Sequence, residues 1–393
     1  MNNTSARTLT LVLAALAMLG PFATDTYLPS FVAIGEQFSV SQMLVQQTFS
    51  IYLFGYSLMT LFYGTLSDSF GRRPVILTSL LIFIAGSIGA TLAPSFTWLL
   101  VFRAMQGMSA GAGMVIGQAI VRDRLSGADA QKMIAQIMMV FGIAPAVAPV
   151  IGGLLQVTFG WRAVFAFMTA IALLLLIACR RYLPESLPPS ERQPLHLGSI
   201  AGNYWKAIRH PQFLLRSLGI GFCFGGFGLY IASAASFVMQ VLHLPETAFA
   251  WLFIPLIAGI VLGSAVNAKA AHRVSMNVMI RSGLLVMGLA CAINLTYTSL
   301  QVAAVPWAVL PVMLYAFGMA LALPGMVLQT LGLFPQVRGL AASLQNFVQM
   351  LIFALVSGYL APLLFDSAFK LAVGLAAAWF LGVLFWRRGR AQV

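Results

Sequence analysis

Long apolar runs repeat along almost the whole chain, and short polar or charged segments separate them. About 20 consecutive apolar residues form a helix long enough to cross the hydrocarbon core of a membrane. The pattern predicts twelve such helices, near residues 8–34, 44–66, 74–93, 97–119, 131–156, 161–180, 213–240, 247–268, 275–297, 303–328, 337–363 and 368–386. Proline inside these runs is compatible with helix, because neighbouring helices in a membrane satisfy the freed backbone groups.

One polar segment is much longer than the others. Residues 181–212 contain proline and charge but no apolar run, and six predicted helices lie on each side of them. We interpret this segment as a cytoplasmic linker. It divides the chain into an amino-terminal bundle, residues 1–180, and a carboxy-terminal bundle, residues 213–393.

Charge fixes the expected orientation of the helices. The formal net charge is +13, which in a soluble protein would suggest a nucleic-acid partner, but 60% of the residues are hydrophobic and only 8% are charged. If both termini are cytoplasmic, Arg162 and Lys370 are the basic residues that fall on the far side. By the positive-inside rule, we expect a multi-pass membrane protein with both termini in the cytoplasm and lipid headgroups, not nucleic acid, as contacts of its basic segments.

A compact polar run, Gly64-Thr65-Leu66-Ser67-Asp68-Ser69-Phe70-Gly71-Arg72-Arg73, lies between the second and third predicted helices. A short loop between membrane helices needs glycine where backbones cross closely, an acceptor that caps a helix end, and cations that keep the loop on the cytoplasmic side. This run supplies all three.

With Pro74, the run reads G-x-L-x-D-x-x-G-R-R-P and resembles the signature loop between spans 2 and 3 of the major facilitator superfamily of secondary transporters. A degenerate copy follows half a chain later, with Gly263, Asn267 and Arg273 in the places of the first glycine, the aspartate and the second arginine. Together they imply an all-α membrane protein with twelve transmembrane helices in two pseudo-symmetric six-helix bundles.

Asp25 is the acidic residue that the pattern places well inside an apolar span. A charge there costs about 2.5–3.5 kcal/mol near the bilayer centre. Because removal from water favours the neutral form of a carboxyl group, Asp25 is a candidate proton-coupling site. The alternative is that Asp25 lies at the outer end of a shorter span, where it caps the next turn or pairs with a cation.

The segment Ala23-Thr24-Asp25-Thr26-Tyr27-Leu28-Pro29 resembles the first-span motif of the twelve-span drug:proton antiporters, and more narrowly that of the bicyclomycin-resistance (Bcr/CflA) branch. The resemblance implies a bacterial inner-membrane exporter in which Asp25 is the coupling carboxylate. Ala17 stands where some drug antiporters carry another acid, so the proton stoichiometry stays open.

Arg103 is the second charge inside an apolar span, in Arg103-Ala104-Met105-Gln106-Gly107, which resembles the fourth-span R-x-x-Q-G motif of the family. A permanent cation near the cavity can link protonation of Asp25 to conformation. The alternative is a structural role, as one half of an ion pair or as a clamp on backbone carbonyls.

The segment from Gly142 to Gly153 resembles the fifth-span motif associated with antiporters, in the A-P-x-x-A-P-x-x-G-G form of the bicyclomycin-resistance branch. Pro145, Pro149, Gly152 and Gly153 predict a kinked, closely packed helix that takes part in conformational change. Ordinary helix packing would explain the glycines equally well.

A cytoplasmic charge network is also implied by the family resemblance. Asp68, Arg72 and Arg73 are expected to face Asp123, in the loop after the fourth span, while Arg338 opens the eleventh span. Such a network would hold the two halves together in one state and release them in the other. The alternative is a set of solvated loop charges, since exposed pairs contribute little.

Aromatic and amide side chains inside the spans are candidates for the substrate cavity. They are Tyr27, Tyr52, Tyr56, Gln118, Tyr230, Trp251, Tyr315, Gln345, Asn346 and Gln349. Gln345 and Gln349 are one helical turn apart and should share a face.

An enzyme would need a nucleophile with a base, or a metal cluster, inside the spans. The four histidines fall in loops or at span edges, and the three cysteines have no paired spacing, so we expect neither catalysis nor a cofactor. The sequence predicts a monomeric transporter that exports small lipophilic compounds or drugs by alternating access, with the proton gradient as its energy source. The alternative is a dedicated proton-driven exporter of a metabolite such as a siderophore, an amino acid or dipeptide, or a sugar.

Overall fold

The computed structural model describes residues 3–192, 197–270 and 273–390, and within these ranges the chain is helical with no β-strand. The chain folds into two compact units, Met1–Leu197 and Gly198–Val393. The first unit contains α1 (Asn3–Asp25), α2 (Phe31–Phe38), α3 (Gln42–Thr60), α4 (Tyr63–Phe70), α5 (Arg72–Thr91), α6 (Phe96–Ala110), α7 (Ala112–Arg124), α8 (Gly127–Phe159) and α9 (Trp161–Tyr182). The helices α10 (Leu197–Ile208), α11 (Pro211–Ala232), α12 (Ala234–Ser236), α13 (Ala250–Ala270), α14 (Met276–Leu300), α15 (Leu310–Leu331), α16 (Arg338–Leu355), α17 (Ala361–Leu364) and α18 (Ala368–Arg390) follow.

Eleven helical segments of the described chain are long and apolar enough to cross a membrane, and α3 with α4, bent by 51°, forms a twelfth. The predicted number of spans therefore agrees with the structure. The predicted start of the tenth span, near residue 303, is wrong by about two turns, because α15 begins at Leu310 with Pro311 in its first turn. Proline is favoured at that position, where its missing N–H has no helical partner to lose.

The first span is not one continuous helix. α1 ends at Asp25, a 3₁₀ turn follows at Leu28–Ser30, and α2 resumes at Phe31. Pro29 explains the break, because it has no N–H to donate to the carbonyl of Asp25, four residues earlier. The sequence thus places an acidic residue at a helix end in the middle of a span.

The same helix pairing recurs in both units. In the first unit α1 packs on α8, α3 on α6, and α5 on α9. In the second unit the corresponding spans pair in the same way, α11 on α16, α13 on α15, and α14 on α18. The prediction of two pseudo-symmetric six-helix bundles is thereby confirmed.

The predicted linker is more structured than its composition suggests. A 3₁₀ turn spans Pro189–Glu191, and α10 covers Leu197–Ile208. The exact domain boundaries at residues 180 and 213 remain a prediction.

Candidate functional site

Asp25 is buried at the carboxy-terminal end of α1, with 4% of its surface exposed. Among the described residues it is the one buried acidic side chain, and no Lys, Arg or His nitrogen of that set lies within ion-pair distance of it. Asp25 lies within Arg7–Phe38, a segment long and apolar enough to cross a membrane. No side chain caps the 3₁₀ turn or the start of α2, so the capping contact and the cationic partner of the alternative are both absent among the described residues.

Arg103 reaches from α6 to the end of α1. Its Nη1 donates to the carbonyl oxygen of Ala23 at 3.0 Å and to Gln106 Oε1 at 2.8 Å, and its Nε donates to the carbonyl of Thr48 at 3.3 Å. The last four carbonyls of a helix lack helical partners and form its negative end, so a guanidinium is a favourable partner there. Arg103 therefore makes the carbonyl clamp that the sequence left as an alternative, two residues before Asp25.

Two aromatic rings enclose this guanidinium. The Arg103 Cζ atom lies 4.1 Å from the ring centroid of Tyr27 and 4.5 Å from that of Tyr52, and all three side chains are almost fully buried. The Tyr52 hydroxyl donates to the carbonyl of Gly20 on α1, and the Tyr27 hydroxyl bonds with Thr48 Oγ1. Cation–π contacts strengthen when they are removed from water, so these tyrosines stabilise the position of the Arg103 guanidinium group beside the end of α1.

Gly152 of α8 packs directly against the break in the first span. A Cβ atom at this position would lie 1.7 Å from the carbonyl oxygen of Thr26. Only glycine permits this approach, which explains one glycine of the fifth-span motif by close packing. Gly142, by contrast, has no heavy atom within 4 Å of an added Cβ. α8 remains helical through Pro145 and Pro149, and Gly153 is buried in it.

A compact charge cluster joins the end of α4, the start of α5 and the end of α7. The run expected to be a loop between spans 2 and 3 is thus largely helical, and Asp123 lies in α7, not in a loop after the fourth span. Arg72 Nη1 donates to Asp68 Oδ1 and to Ser67 Oγ at 2.7 Å, and its Nε donates to Asp123 Oδ2 at 3.0 Å. The Arg72 side chain is 9% exposed, whereas Asp68 is 41% exposed. The structure thus brings together three residues of the expected network. Because one partner is buried, they are not merely solvated loop charges.

Glu185, which the sequence analysis did not single out, completes the cluster. Its carboxylate accepts from the backbone N–H groups of Arg72 at 3.0 Å and Arg73 at 3.2 Å, the first two residues of α5. The same carboxylate accepts from the N–H groups of Ser186 and Leu187. A carboxylate at a helix amino terminus satisfies orphan donors and complements the helix dipole. The signal in the sequence was a lone acid just after the basic end of the sixth span.

The other loop positions have different surroundings. Arg73 Nη2 donates to the carbonyl of Arg180 at 2.6 Å and does not pair with an aspartate of the described chain. Gly71 has a φ of +97°, and an added Cβ would lie 2.6 Å from Glu185 Oε2. Gly64 has nothing within 4 Å of an added Cβ, so the expected close backbone crossing there is wrong. Arg338 begins α16 in the second unit, as expected.

The candidate cavity residues of the second unit separate into buried and accessible groups. Tyr230 accepts from Asn294 Nδ2 at 2.7 Å, and Tyr315 donates to the carbonyl of Cys223 at 2.9 Å. Both tyrosines are almost fully buried, so in this conformation they brace helices. Gln345 Nε2 donates to Gln349 Oε1 at 3.0 Å, which confirms the shared face.

The remaining cavity candidates have accessible surface. Trp251 is 48% exposed, and Tyr56, Gln118 and Asn346 are half-buried. The cysteines are free, and no group of three or more His, Cys, Asp or Glu in the described part of the chain is placed to hold a metal ion.

The family model of the Major Facilitator Superfamily matches residues 13–357. The chain belongs to this superfamily. A bicyclomycin resistance protein homolog of Haemophilus influenzae is 28% identical over 374 residues, covering 95% of this chain and 94% of that protein. An uncharacterized MFS-type transporter of Bacillus subtilis, YdgK, is 30% identical over 356 residues, covering 89% and 87%. The multidrug resistance protein D of Escherichia coli is 33% identical over 180 residues, 46% of each chain.

Solved structures of the superfamily share the fold. The xylose transporter XylE of E. coli, in a partially occluded inward open conformation, aligns with a TM-score of 0.74 and 15% identity over 98% of both chains. The POT family transporter PepTSo aligns with a TM-score of 0.75 and 14% identity over 100% of this chain and 99% of that one. The predicted superfamily, and the resemblance to the bicyclomycin-resistance branch, are confirmed by these matches. The chain is a multi-pass membrane transporter of small molecules, not an enzyme.

Proposed function

We propose that this major facilitator is a proton-coupled exporter of small lipophilic compounds or drugs. It acts as a monomer by alternating access in a bacterial inner membrane, with both termini in the cytoplasm. The names of its relatives, two of which refer to bicyclomycin or multidrug resistance, support the substrate class. The asymmetry of the basic residues supports the orientation.

The observation that carries the proposal is Asp25, buried at a helix break without a cationic partner among the described side chains. A buried carboxylate without a partner is costly, whereas a neutral carboxyl group is tolerated. Asp25 therefore takes up a proton when its surroundings are closed. Asp25 releases the proton when a conformational change at the helix break exposes its carboxyl group to water. Binding of the proton and binding of substrate alternate during this cycle.

Arg103 and Gly152 tie the break to the rest of the first unit. Arg103 binds the carbonyl end of α1, and Gly152 places α8 against the next residue after Asp25. A change in the charge of Asp25 therefore alters the surroundings of residues on both α6 and α8. This arrangement supports a coupling role for Arg103 in addition to its carbonyl clamp.

The cluster of Asp68, Arg72 and Asp123 serves as a conformational lock in this proposal. Charge-assisted hydrogen bonds around a buried guanidinium are strong but have discrete geometries, so they favour two-state behaviour over gradual deformation. We also assign a role in conformational gating to Gly64, Gly71, Arg73 and Arg338.

For the substrate cavity, we propose the candidate residues named from the sequence. The alternative substrate is a single metabolite.

The test is accumulation of a fluorescent lipophilic dye in pump-deficient cells that express the chain. We expect the wild-type chain to lower dye accumulation, and an uncoupler to abolish that effect. Asp25→Asn, which keeps the shape but cannot lose a proton, should also abolish it at equal expression.

The matched control is Glu36→Gln, which removes the same charge from an exposed position on α2 of the same span. It should leave efflux unchanged. Uncoupler-sensitive efflux that survives Asp25→Asn would contradict the role of Asp25. A broad dye panel that is left untouched by the wild-type chain would favour the dedicated metabolite exporter.

A further inference from the structure

A groove between α14 and α18 of the second unit combines arginines with an apolar floor. It has a volume of about 620 Å³. Arg281, Arg387 and Arg390 line one part of it, and Leu285, Trp379 and Val383 line another. Arg281 lies in the second turn of α14, and the other two arginines lie in the last turn of α18, so the cations meet at one end of this helix pair.

The described part of the second unit has no acidic side chain at that end to neutralise them. From residue 198 onward the sequence contains eleven Lys or Arg residues but only two acids, Glu246 and Asp366. Asp366 lies just before α18, a full helix length from Arg387, and its ion-pair partner is Lys370 at 2.7 Å. Glu246 lies in the segment before α13, so it is separated from the start of α14 by the length of that helix.

The first unit provides an instructive comparison. Its corresponding helices are α5 and α9, and the start of α5 and the end of α9 lie beside a basic cleft of about 360 Å³, lined by Arg73, Arg124 and Arg180 among others. There, however, Glu185 accepts from the start of α5 and supplies a nearby negative charge. The groove of the second unit therefore has the greater need of an anion from outside the chain.

An apolar track leads away from the arginines along both helices. Leu285 is 72% exposed and Leu289, one turn further along α14, is 57% exposed. On α18, Phe380 is 60% exposed, and Trp379 lies in the groove with its indole N–H bonded to the carbonyl of Leu284 at 2.8 Å. Trp386, which directly precedes Arg387 near the end of α18, also lines the groove, and tryptophan beside arginine at a helix end is typical of the membrane–water interface. The track has the chemistry that an acyl chain needs.

We propose that this groove binds an anionic diacyl phospholipid. The phosphate lies between Arg281, Arg387 and Arg390, and one acyl chain follows the track. Arg390 already donates through Nη2 to Asn277 Oδ1 at 2.9 Å, which fixes its guanidinium beside the groove and leaves other donors for the phosphate. This site does not depend on the direction of transport or on Asp25.

The test is native mass spectrometry of the delipidated full-length protein titrated with phosphatidylglycerol. A cation near an anionic headgroup contributes about 1 kcal/mol, which corresponds to about fivefold in affinity. We expect Arg281→Gln and Arg387→Gln each to weaken the tightest phosphatidylglycerol site about fivefold, and the double variant about 25-fold. The matched control is Arg388→Gln, on the same turn of α18 but outside the groove lining, which should change affinity less than about twofold.

Two further arms identify the ligand. Phosphatidylcholine, whose headgroup has no net charge, should bind the site at least about tenfold more weakly. Inorganic phosphate and glycerol phosphate at millimolar concentration should not displace phosphatidylglycerol. Equal loss with Arg388→Gln, equal binding of phosphatidylcholine, or displacement by free phosphate would each overturn the proposal. Equal melting temperatures of the variants in lipid-free detergent establish that the losses are not due to misfolding.

Discussion

Substitution of Gly152 by alanine tests the packing of α8 against the break in the first span. The added Cβ would lie 1.7 Å from the carbonyl oxygen of Thr26, whereas real contacts of this kind begin near 3.0 Å. One of the two backbones must therefore move by at least about 1.3 Å. Overpacking costs about 1–3 kcal/mol, and an overlap with rigid backbone belongs at the upper end of that range.

The expected result is a lower melting temperature of the purified protein. For a unit of the size of Met1–Leu197, about 3 kcal/mol corresponds to a decrease of about 6–12 °C. Dye efflux should also fall, because Thr26 adjoins Asp25. Gly142→Ala on the same helix is the matched control. Nothing lies within 4 Å of its added Cβ, and alanine favours helix, so its melting temperature should stay equal or rise. A Gly152→Ala protein that melts and transports like the wild type would refute the close approach.

Three further predictions concern the first unit. Glu185→Ala should speed hydrogen exchange of the Arg72 and Arg73 amides about tenfold or more, because a hydrogen bond to a charged group contributes about 1.5–3 kcal/mol; unchanged exchange in mass spectrometry would exclude the helix cap. Gly71→Ala should lower the melting temperature, since it combines a φ of +97° with a contact of 2.6 Å, whereas Gly64→Ala should not; equal effects would contradict this distinction. Arg103→Lys keeps the charge, but an ammonium group cannot reach all three acceptors of Arg103, so melting temperature and dye efflux should both fall. The loss of two hydrogen bonds would lower the free energy of unfolding by about 3 kcal/mol. Full activity with lysine would mean that charge alone matters at this position.

Hydropathy was sufficient to predict the spans because the membrane imposes a length and a composition on every crossing helix. The break at Asp25 was not predicted, although Pro29 carries the signal, because proline is tolerated within membrane helices and its effect depends on what packs nearby. Gly152 approaches Thr26, whereas Gly64 faces open space. Sequence alone does not distinguish these glycines, because it fixes neither the rotation nor the separation of helices.

The candidate residues illustrate the same limit. Asp25 and Arg103 were identified from the sequence because ionisable residues are rare in spans. Both side chains are buried in the structure. Tyr27 and Tyr52 were assigned to a cavity from residue type, yet they enclose Arg103. Glu185 escaped notice because its partners are backbone N–H groups, which no sequence pattern displays.

The cap that Glu185 forms on α5 also cross-links spans that are distant in the chain. Glu185 lies three residues after the end of α9, yet its carboxylate accepts from the first two N–H groups of α5. The next residue, Ser186, donates through its hydroxyl to Asp123 near the end of α7. Two neighbouring residues that belong to no span therefore fasten the ends of the third, fourth and sixth spans to one another, as a covalent clip at the same place would.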